Sequence, residues 1–257
     1  MKVVILAGGK GTRIAEETEV LPKPMVEIGG NPILWHIMKI YSQYGFNDFI
    51  VCLGYKGYVI KKFFYNYFMH MSDVTIDLSN NKTIFHSTAS EPWKITLVDT
   101  GQETMTGSRL RRVKKYIGNQ PFMMTYGDGL SDVNIKELVK FHKKHKKLAT
   151  LTAIQTAGRF GVVNIGSGDK VSSFLEKPKD ESSWISGGFF VLQPEVLDLI
   201  DNDDTVVWEK GPLVQLSKQG QLCAFKHNGY WNCMDTLRDK LNFERVWQSG
   251  NVPWKVW

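Results

Sequence analysis

The chain has 257 residues, of which 42% are hydrophobic and 23% are charged, a composition typical of an ordinary globular protein. This length approaches the limit for a single hydrophobic core, so it predicts one large domain or two closely joined lobes and excludes a small stapled module. The net charge of +6 suits anionic partners, from nucleotides to nucleic acid or phospholipid, without choosing among them.

Strand-like and helix-like patterns alternate along the first 154 residues. The run Val3–Leu6 predicts a buried parallel strand that leads into a glycine loop. Asn31-Pro32 predicts the start of a helix, with asparagine as its cap, and Gly45 predicts its end. The later predicted elements are a strand at Asp48–Leu53, an aromatic helix at Tyr58–Met71, an antiparallel excursion within Thr75–Val98 with β-rich pieces at 83–85 and 95–98, a strand at Pro121–Tyr126, a helix from Ile135 through His142 and a strand at Ala149–Ile154.

The ends of two predicted strands carry residues suited to ligand binding. Gly9 follows the first strand, and Asp128 follows the strand at Pro121–Tyr126. In open α/β sheets, ligands collect at the carboxyl ends of the strands. If these two strands are parallel neighbours, a ligand site is expected at the edge where they end.

The cysteines and the N-terminus bear on the compartment. Cys52, Cys223 and Cys233 match neither a disulfide framework nor a zinc spacing, so we expect them to be reduced. The first apolar run, Val3–Ala7, is too short for a signal-peptide core, and no stretch of 18 apolar residues occurs. These features predict a cytoplasmic protein.

The loop Gly8-Gly9-Lys10-Gly11 has the composition of a phosphate-binding loop. Glycines let backbone N–H groups approach a phosphate, while Lys10, Thr12 and Arg13 add two positive charges and a hydroxyl. A P-loop is excluded because Gly11 follows the lysine, and a dinucleotide fingerprint is excluded because Ile14 stands where glycine is needed. A plain glycine turn remains the alternative.

Two lysines are framed by proline. Pro22 and Pro24 restrict the backbone on both sides of Lys23, which favours a defined direction for its amine. Glu176-Lys177-Pro178 repeats the pattern beside a carboxylate. A solvated loop lysine and a surface turn are the respective alternatives.

Two distant aspartates are candidates for a metal site. Asp128 lies between glycines, and Asp235 follows an aromatic run; Mg²⁺ commonly takes one or two carboxylates together with substrate phosphates. Asp235 could instead cap a helix. Arg109, after Thr106, could contact phosphate in two-pronged geometry, or belong to a solvated basic helix.

The densest charge run is a set of six lysines between residues 136 and 147. Apolar residues there fall on one helical stripe, which is typical of a solvated amphipathic helix, so nucleic-acid binding is not favoured. His142 and His145 lack acidic or cysteine partners nearby in sequence, and we expect no metal site at them.

Several blocks together resemble one family. Leu6-Ala7-Gly8-Gly9-Lys10-Gly11-Thr12-Arg13, followed by Pro22-Lys23-Pro24-Met25, resembles the signature of the sugar-nucleotide pyrophosphorylases, also called nucleotidyltransferases. Blocks along nearly the whole chain resemble the glucose-1-phosphate cytidylyltransferases within that family; they include segments 14–18, 35–38, 54–61, 70–75, 98–101, 125–129, 158–161, 176–179, 187–190 and 234–239.

The resemblance implies an α/β fold, a Rossmann-like mixed and mainly parallel sheet flanked by helices. It implies a single domain over residues 1–257, with the nucleotide-binding part at roughly 1–130 and the sugar-binding part at roughly 131–257. The implied reaction joins CTP and α-D-glucose 1-phosphate to give CDP-glucose and pyrophosphate, for CDP-deoxysugar and surface polysaccharide biosynthesis such as that of lipopolysaccharide O-antigen. Cytidylyltransferases of this kind assemble as oligomers.

Residue roles follow from the resemblance position by position. The implied nucleotide-binding residues are Leu6, Ala7, Gly8, Gly9, Lys10, Gly11, Thr12, Arg13, Lys23, Thr106, Arg109 and Gly127. The implied sugar-binding residues are Tyr126, Glu176, Lys177, Ser186 and Gly188. Asp128 and Asp235 are expected to bind Mg²⁺, and Arg13, Lys23 and Lys177 are the expected catalytic residues.

The sequence departs from the family pattern in three places. Ser186 stands where asparagine is usual, Asn232-Cys233 replaces a glutamine-proline pair, and Ser108 replaces glycine. These departures concern the identity of the hexose more than the transfer chemistry. Two alternatives stay open: a uridylyl- or thymidylyltransferase acting on a related hexose 1-phosphate, and a non-catalytic module that binds nucleotide-sugars, as would follow if one metal ligand were unusable.

The aromatic residues bear on assembly. Residues 63–71 are aromatic on nearly all sides of a predicted helix, and Trp247, Trp254 and Trp257 lie near the end of the chain. One core cannot bury all of them on a single stripe, which favours a homo-oligomer. The alternative is that they fill the core of the monomer.

Overall fold

The computed structural model describes residues 1–11, 21–155, 162–165, 171–175 and 184–257. The helices are α1 Ile33–Gln43, α2 Gly57–His70, α3 Thr106–Arg112, α4 Lys114–Ile117, α5 Ile135–His145, α6 Pro212–Lys218 and α7 Leu237–Gln248. The strands are β1 Val3–Leu6, β2 Glu27–Ile28, β3 Asn31–Pro32, β4 Asp48–Leu53, β5 Ser72–Asp77, β6 Lys82–Thr88, β7 Lys94–Asp99, β8 Phe122–Tyr126, β9 Gly129–Ser131, β10 Ala149–Ile154, β11 Val162–Ile165, β12 Val171–Leu175, β13 Ile185–Leu192, β14 Leu222–His227 and β15 Trp231–Cys233.

Seven strands form the central sheet, in the order β14-β10-β13-β8-β1-β4-β7. Strand β13 runs antiparallel to both of its neighbours, and every other pairing in this sheet is parallel. The predicted mixed, mainly parallel sheet flanked by helices is confirmed. Because β1 and β8 pair in parallel with Leu6 opposite Tyr126, their carboxyl ends meet at one edge, as the positions of Gly9 and Asp128 required.

Helices cover both faces of this sheet, and alternate residues of β1 show the division. Val3 and Ile5 belong to a core shared with α1, α5 and α7, whereas Val4 and Leu6 belong to a core shared with α3, α4 and α6. All four β1 residues are buried. A strand buried on both faces reads as a continuous apolar run, and this is why no polar alternation marked it in the sequence.

Two predictions about local structure are wrong. Asn31 does not cap α1; it pairs with Ile28 in the β2–β3 ladder, and the helix begins at Ile33 after Pro32 without a side-chain cap. The piece at 95–98 is not antiparallel: it lies in β7, paired in parallel with β4 at the sheet edge. The antiparallel excursion consists instead of the hairpin β5–β6.

The aromatic segments separate into two groups. Trp254 is fully buried, and Trp247 and Trp257 pack on His36, so the C-terminal tryptophans contribute to the core of the chain itself. In contrast, α2 exposes much of its aromatic surface, including Tyr65 at 89% exposure.

The described part of the chain contains no helix that is long and apolar enough to cross a membrane. The three cysteines are unpaired, as expected.

Candidate active site

A cavity of about 370 Å³ opens at the carboxyl ends of β1 and β8. Its lining comes from the glycine loop, the Lys23 turn, the start of α3 and the end of β8: Leu6, Ala7, Gly8, Gly9, Gly11, Lys23, Pro24, Thr104, Met105, Thr106, Arg109, Tyr126, Gly127, Asp128 and Asp235. We call it the loop cavity. Most residues predicted to bind the nucleotide are thus brought together, although their contacts with a nucleotide stay predictions.

A second cavity of about 320 Å³ adjoins the first and shares Tyr126, Asp128 and Asp235 with it. We call it the β13 cavity because Ser186, Gly187 and Gly188 of that strand line it, together with Thr125, Gly129, Glu209, Trp231 and Cys233. Three residues predicted for the sugar side, Tyr126, Ser186 and Gly188, therefore lie around one cavity. The two aspartates stand at the junction of the two spaces.

Lys23 lies between the two aspartates. Its Nζ is 2.7 Å from Asp128 Oδ2 and 2.8 Å from Asp235 Oδ1, and its side chain is 13% exposed. Burial lowers the pKa of Lys23, but attraction to Asp128 and hydrogen bonds to both carboxylates outweigh that effect and raise the pKa above its ordinary value. The flanking prolines hold the residue in a short 3-10 turn at Lys23–Met25, so the solvated-loop alternative does not apply.

Backbone pairing brings the two aspartates together across a long separation in sequence. Strand β9 begins directly after Asp128 and pairs with β15, which ends just before Met234-Asp235. The Met234 N–H donates to the Asp128 carbonyl at 2.9 Å. This ladder holds the backbones of Asp128 and Asp235 close to each other.

The helix-cap alternative for Asp235 is wrong. Thr236 is the N-cap of α7, and its side chain and that of Asp239 form a reciprocal capping box. Asp239 Oδ2 also accepts from the Asp235 N–H at 3.0 Å. The carboxylate of Asp235 is therefore directed at Lys23 while its neighbours cap the helix.

Arg109 is buried, with 5% of its surface exposed, and its guanidinium hydrogen-bonds several chain segments, including the glycine loop. Its guanidinium donates hydrogen bonds of 2.6–3.2 Å to Leu53 O, Thr100 Oγ1, Gly101 O, Gly8 O and Gln102 O. It thus ties together the ends of β1 and β4 and the loop after β7. The solvated-helix alternative does not apply to Arg109, and its contact with phosphate stays a prediction.

The three loop residues Gly8, Gly9 and Lys10 differ in their surroundings. A Cβ on Gly8 would lie 2.3 Å from Arg109 Nη1, whereas a Cβ on Gly9 would meet no described atom within 4 Å. Gly9 nonetheless lines the loop cavity. Lys10 is not among the lining residues; its Nζ pairs with Glu103 Oε1 at 2.8 Å, and its role toward phosphate stays a prediction.

On the other side of the site, Gly188 lies against Tyr126. Gly188 has a φ of +78°, and a Cβ there would approach the tyrosine ring to 2.8 Å, so glycine is required on both grounds. Burial, followed by the charge of Glu209, raises the pKa of Tyr126, so its hydroxyl is a hydrogen-bond donor. This hydroxyl donates to Glu209 Oε1.

Sequence reasoning missed Glu209, which lies between Trp208 and Lys210 in a stretch without a recognised motif. It gave no structural role to Ser108, whose hydroxyl donates to the Asp203 carbonyl and accepts from the Val206 N–H at 3.1 Å. The serine at this position therefore fastens a neighbouring loop. Cys233, another departure, lies 3.7 Å from Asp235; burial and nearby carboxylates raise the pKa of its thiol to about 11.

Four predicted site residues, Thr12, Arg13, Glu176 and Lys177, lie outside the described residues. Their assignments stay predictions.

Comparison with known proteins gives consistent matches. Residues 2–235 match the family described as "Nucleotidyl transferase". A glucose-1-phosphate cytidylyltransferase of Salmonella typhimurium is 58% identical over 258 positions that cover all of both chains. A Bacillus subtilis protein described as a probable glucose-1-phosphate cytidylyltransferase is 43% identical over 257 residues, again across the full length of both. The solved structure of UDP-glucose pyrophosphorylase complexed with UDP-glucose shares the fold, with a TM-score of 0.69 at 15% identity over 97% of this chain and 99% of that chain.

Proposed function

Because this chain belongs to the nucleotidyl transferase family and, within it, to the glucose-1-phosphate cytidylyltransferases, we propose that it transfers a cytidylyl group from CTP to α-D-glucose 1-phosphate. The products are CDP-glucose and pyrophosphate. The observation that carries the proposal is the junction of the loop cavity and the β13 cavity at Asp128 and Asp235. Two ligands, one in each cavity, would meet at this pair of carboxylates, beside Lys23.

The proposed chemistry is a direct displacement. A phosphate oxygen of the sugar phosphate is already anionic at neutral pH, so it needs alignment and charge neutralisation more than a general base. It forms a bond to the α-phosphorus of CTP while the bond from that phosphorus to the leaving oxygen breaks, and pyrophosphate departs in line. The chain's contribution is to hold the reacting groups in line and to place positive charge beside them.

Lys23 supplies charge at the junction of the two cavities. Its ammonium is held by two carboxylates, which raise its pKa above an ordinary value already well above 7, so it is protonated at neutral pH. We assign Arg13 and Lys177 to the same task on the nucleotide and sugar sides, on the resemblance of their motifs. Loss of one such charge contact to a transition state costs roughly 3–4 kcal/mol.

We assign the nucleotide side to the residues of the loop cavity and to Lys10 and Thr12. Gly9 supports this assignment, since its open side allows a ligand to approach the backbone closely. We assign Glu176, Ser186, Gly188 and Tyr126 to the sugar. In this proposal the chain is one domain with a nucleotide-binding part at roughly 1–130 and a sugar-binding part at roughly 131–257.

The residues present fit a magnesium ion. Asp128 and Asp235 both already contact one cationic group, the Lys23 ammonium, so their carboxylates converge on a point that favours positive charge. Mg²⁺ needs one or two protein carboxylates and completes its shell with water and phosphate. We propose that these two residues hold Mg²⁺, which when bound would neutralise phosphate charge.

A pyrophosphate-release assay tests the function. The purified chain with CTP and glucose 1-phosphate is expected to release pyrophosphate, and CTP should outperform UTP, dTTP, ATP and GTP. A preference for UTP or dTTP would establish the uridylyl- or thymidylyltransferase alternative. Binding of CDP-glucose without release under any combination would establish a non-catalytic module.

We further propose that the protein is cytoplasmic, acts in the supply of CDP-deoxysugars for surface polysaccharides such as O-antigen, and forms a homo-oligomer. The exposed aromatic surface of α2 supports the last point, because aromatic side chains are enriched at protein interfaces. Light scattering tests it: a mass of 29.3 kDa, that of one chain, would contradict the oligomer.

A further inference from the structure

We propose that Glu209 accepts hydrogen bonds from hydroxyl groups of the sugar phosphate and so determines which hexose the site takes. The inference rests on the proposed function and adds a residue to its sugar side. Glu209 lines the β13 cavity together with Ser186 and Gly188, and it is absent from the lining of the loop cavity. It therefore faces the space assigned to the sugar.

The contacts of Glu209 already have the chemistry of hydroxyl recognition. The Tyr126 hydroxyl donates to Oε1, and the Thr106 hydroxyl donates to Oε2 at 3.1 Å. An ionised carboxylate offers about four acceptor positions on its two oxygens, so each oxygen retains capacity for another donor. Vicinal hydroxyls of a hexose are donors of this kind.

The backbone at Glu209 is held firmly. Trp208 is fully buried, and its ring packs edge-on against Phe190 at a centroid distance of 6.1 Å. The Trp208 N–H donates to Thr106 Oγ1 at 2.9 Å, which directs the proton of that hydroxyl toward Glu209. The carboxylate is thus attached to a rigid segment, as specificity-determining groups require.

Charge fixes which end of the ligand Glu209 can face. A carboxylate repels phosphate, so a sugar phosphate would turn its phosphate away from Glu209 and its uncharged hydroxyls toward it. In the proposed function the nucleophilic phosphate oxygen must reach the junction of the two cavities at Asp128 and Asp235, which leaves the rest of the β13 cavity, with Glu209, for the hydroxyls.

The test measures pyrophosphate release with CTP and either glucose 1-phosphate or its 2-, 3-, 4- and 6-deoxy analogues, for the unmodified chain and for Glu209→Gln. We expect Glu209→Gln to lower kcat/KM for glucose 1-phosphate by about 10- to 100-fold, the range for a hydrogen bond to a charged group. For the deoxy analogue that lacks the recognised hydroxyl, the variant and the unmodified chain should differ by less than about threefold, because the contact is already missing. The KM for CTP should stay unchanged.

Controls separate recognition from a structural effect. Glu195→Gln alters an exposed glutamate on a remote 3-10 helix and should leave every constant unchanged. Circular dichroism checks the fold, and Glu209→Ala provides a second variant with the same expected pattern. A uniform loss across all analogues, or no loss, in a folded variant would overturn the assignment of Glu209 while leaving the proposed function intact. Absence of pyrophosphate release by the unmodified chain would overturn the proposed function and this assignment together.

Discussion

Arg109 and Gly8 are in direct contact: Arg109 Nη2 donates to the Gly8 carbonyl oxygen at 3.0 Å, and the guanidinium occupies the space where a Gly8 side chain would lie. Gly54, which directly follows β4, flanks the same guanidinium, since a Cβ there would lie 2.5 Å from Arg109 Nη1. The path of the glycine loop is therefore set by a buried cation that binds its backbone.

The first prediction compares two neighbouring glycines. Gly8→Ala should destabilise the fold by about 1–3 kcal/mol, the cost of overpacking. The reason is that the Arg109 guanidinium, which the new methyl group would contact, cannot move without losing hydrogen bonds to its five acceptors. Gly9→Ala should change the free energy of unfolding by less than about 0.5 kcal/mol but weaken CTP binding, since its methyl group would enter the loop cavity. Urea denaturation and calorimetric titration with CTP measure the two effects. Normal CTP binding by Gly9→Ala would show that the ligand does not approach this backbone.

The second prediction concerns the two carboxylates at the junction. Asp128→Asn and Asp235→Asn should each lower turnover by roughly 100-fold or more, equivalent to about 2.7 kcal/mol or more in the barrier. Both variants should remain folded, because Lys23 keeps one anionic partner in each. Their affinity for Mn²⁺ in the presence of CTP, followed by calorimetry, should fall in parallel.

Asp198→Asn is the matched control for these variants, since this exposed aspartate pairs with Lys114 away from both cavities. It should retain the turnover and ion affinity of the unmodified chain. Near-normal turnover in folded Asp128→Asn or Asp235→Asn would show that the residue is not a metal ligand.

The third prediction uses two helix caps of similar construction. Thr236 caps α7 and Asn134 caps α5, each through a side-chain oxygen that accepts a backbone N–H. Replacement by alanine should cost about 1 kcal/mol of stability in both cases. Thr236→Ala should also lower turnover, because the capping box holds the backbone of Asp235, whereas Asn134→Ala should leave turnover unchanged. Equal activity in the two variants would show that the cap does not position Asp235.

The fourth prediction follows from a buried histidine. Burial lowers the pKa of His36 to about 4 although its ring nitrogen contacts the Ile28 carbonyl at 2.8 Å. The unfolded state therefore binds more protons between about pH 6.5 and pH 4, so stability is constant above this window and falls as the pH drops through it. Between pH 7.5 and pH 5.5, this one residue should account for a loss of about 1 kcal/mol in the free energy of unfolding.

His36→Gln removes the titration while its amide can still donate to the same carbonyl. The difference between urea midpoints at the two pH values should be smaller in this variant than in the unmodified chain. An identical pH difference in both proteins would mean that His36 titrates normally in the folded state.

The sequence allowed the sheet core, and the sheet edge that carries the candidate site, to be predicted because both depend on local patterns. Apolar runs that end in glycine, such as Val3–Leu6, produce strands, and the residues after them lie at the carboxyl edge. The convergence of Asp128 and Asp235 required a further fact, the pairing of β9 with β15, which no local pattern encodes. The sequence resemblance placed both residues in one site without explaining how they meet.

The missed features depend on distant partners. Asn31 has the chemistry of a cap, but the ladder with Ile28 determines its conformation. Arg109 looks like a surface phosphate ligand in sequence, yet its acceptors come from three separate segments. Glu209 carried no signal at all, because its role depends on hydroxyls contributed by Thr106 and Tyr126, far from it along the chain.

The antiparallel course of β13 brings the start of this strand to the sheet edge where β8 ends. As a result, the two cavities are lined largely by different parts of the chain. Since β13 runs against β8, Gly188, near the start of β13, lies beside Tyr126, the last residue of β8. Apart from Asp235, every residue that lines the loop cavity comes before residue 129, whereas six of the eight residues that line only the β13 cavity come after residue 185. Under the proposed function, the preference for the nucleotide and the preference for the sugar are then determined largely by different segments of the chain. Recombination between relatives could exchange one preference without the other, so a chimera that keeps the first half of this chain should retain its nucleotide and adopt the sugar of its second parent.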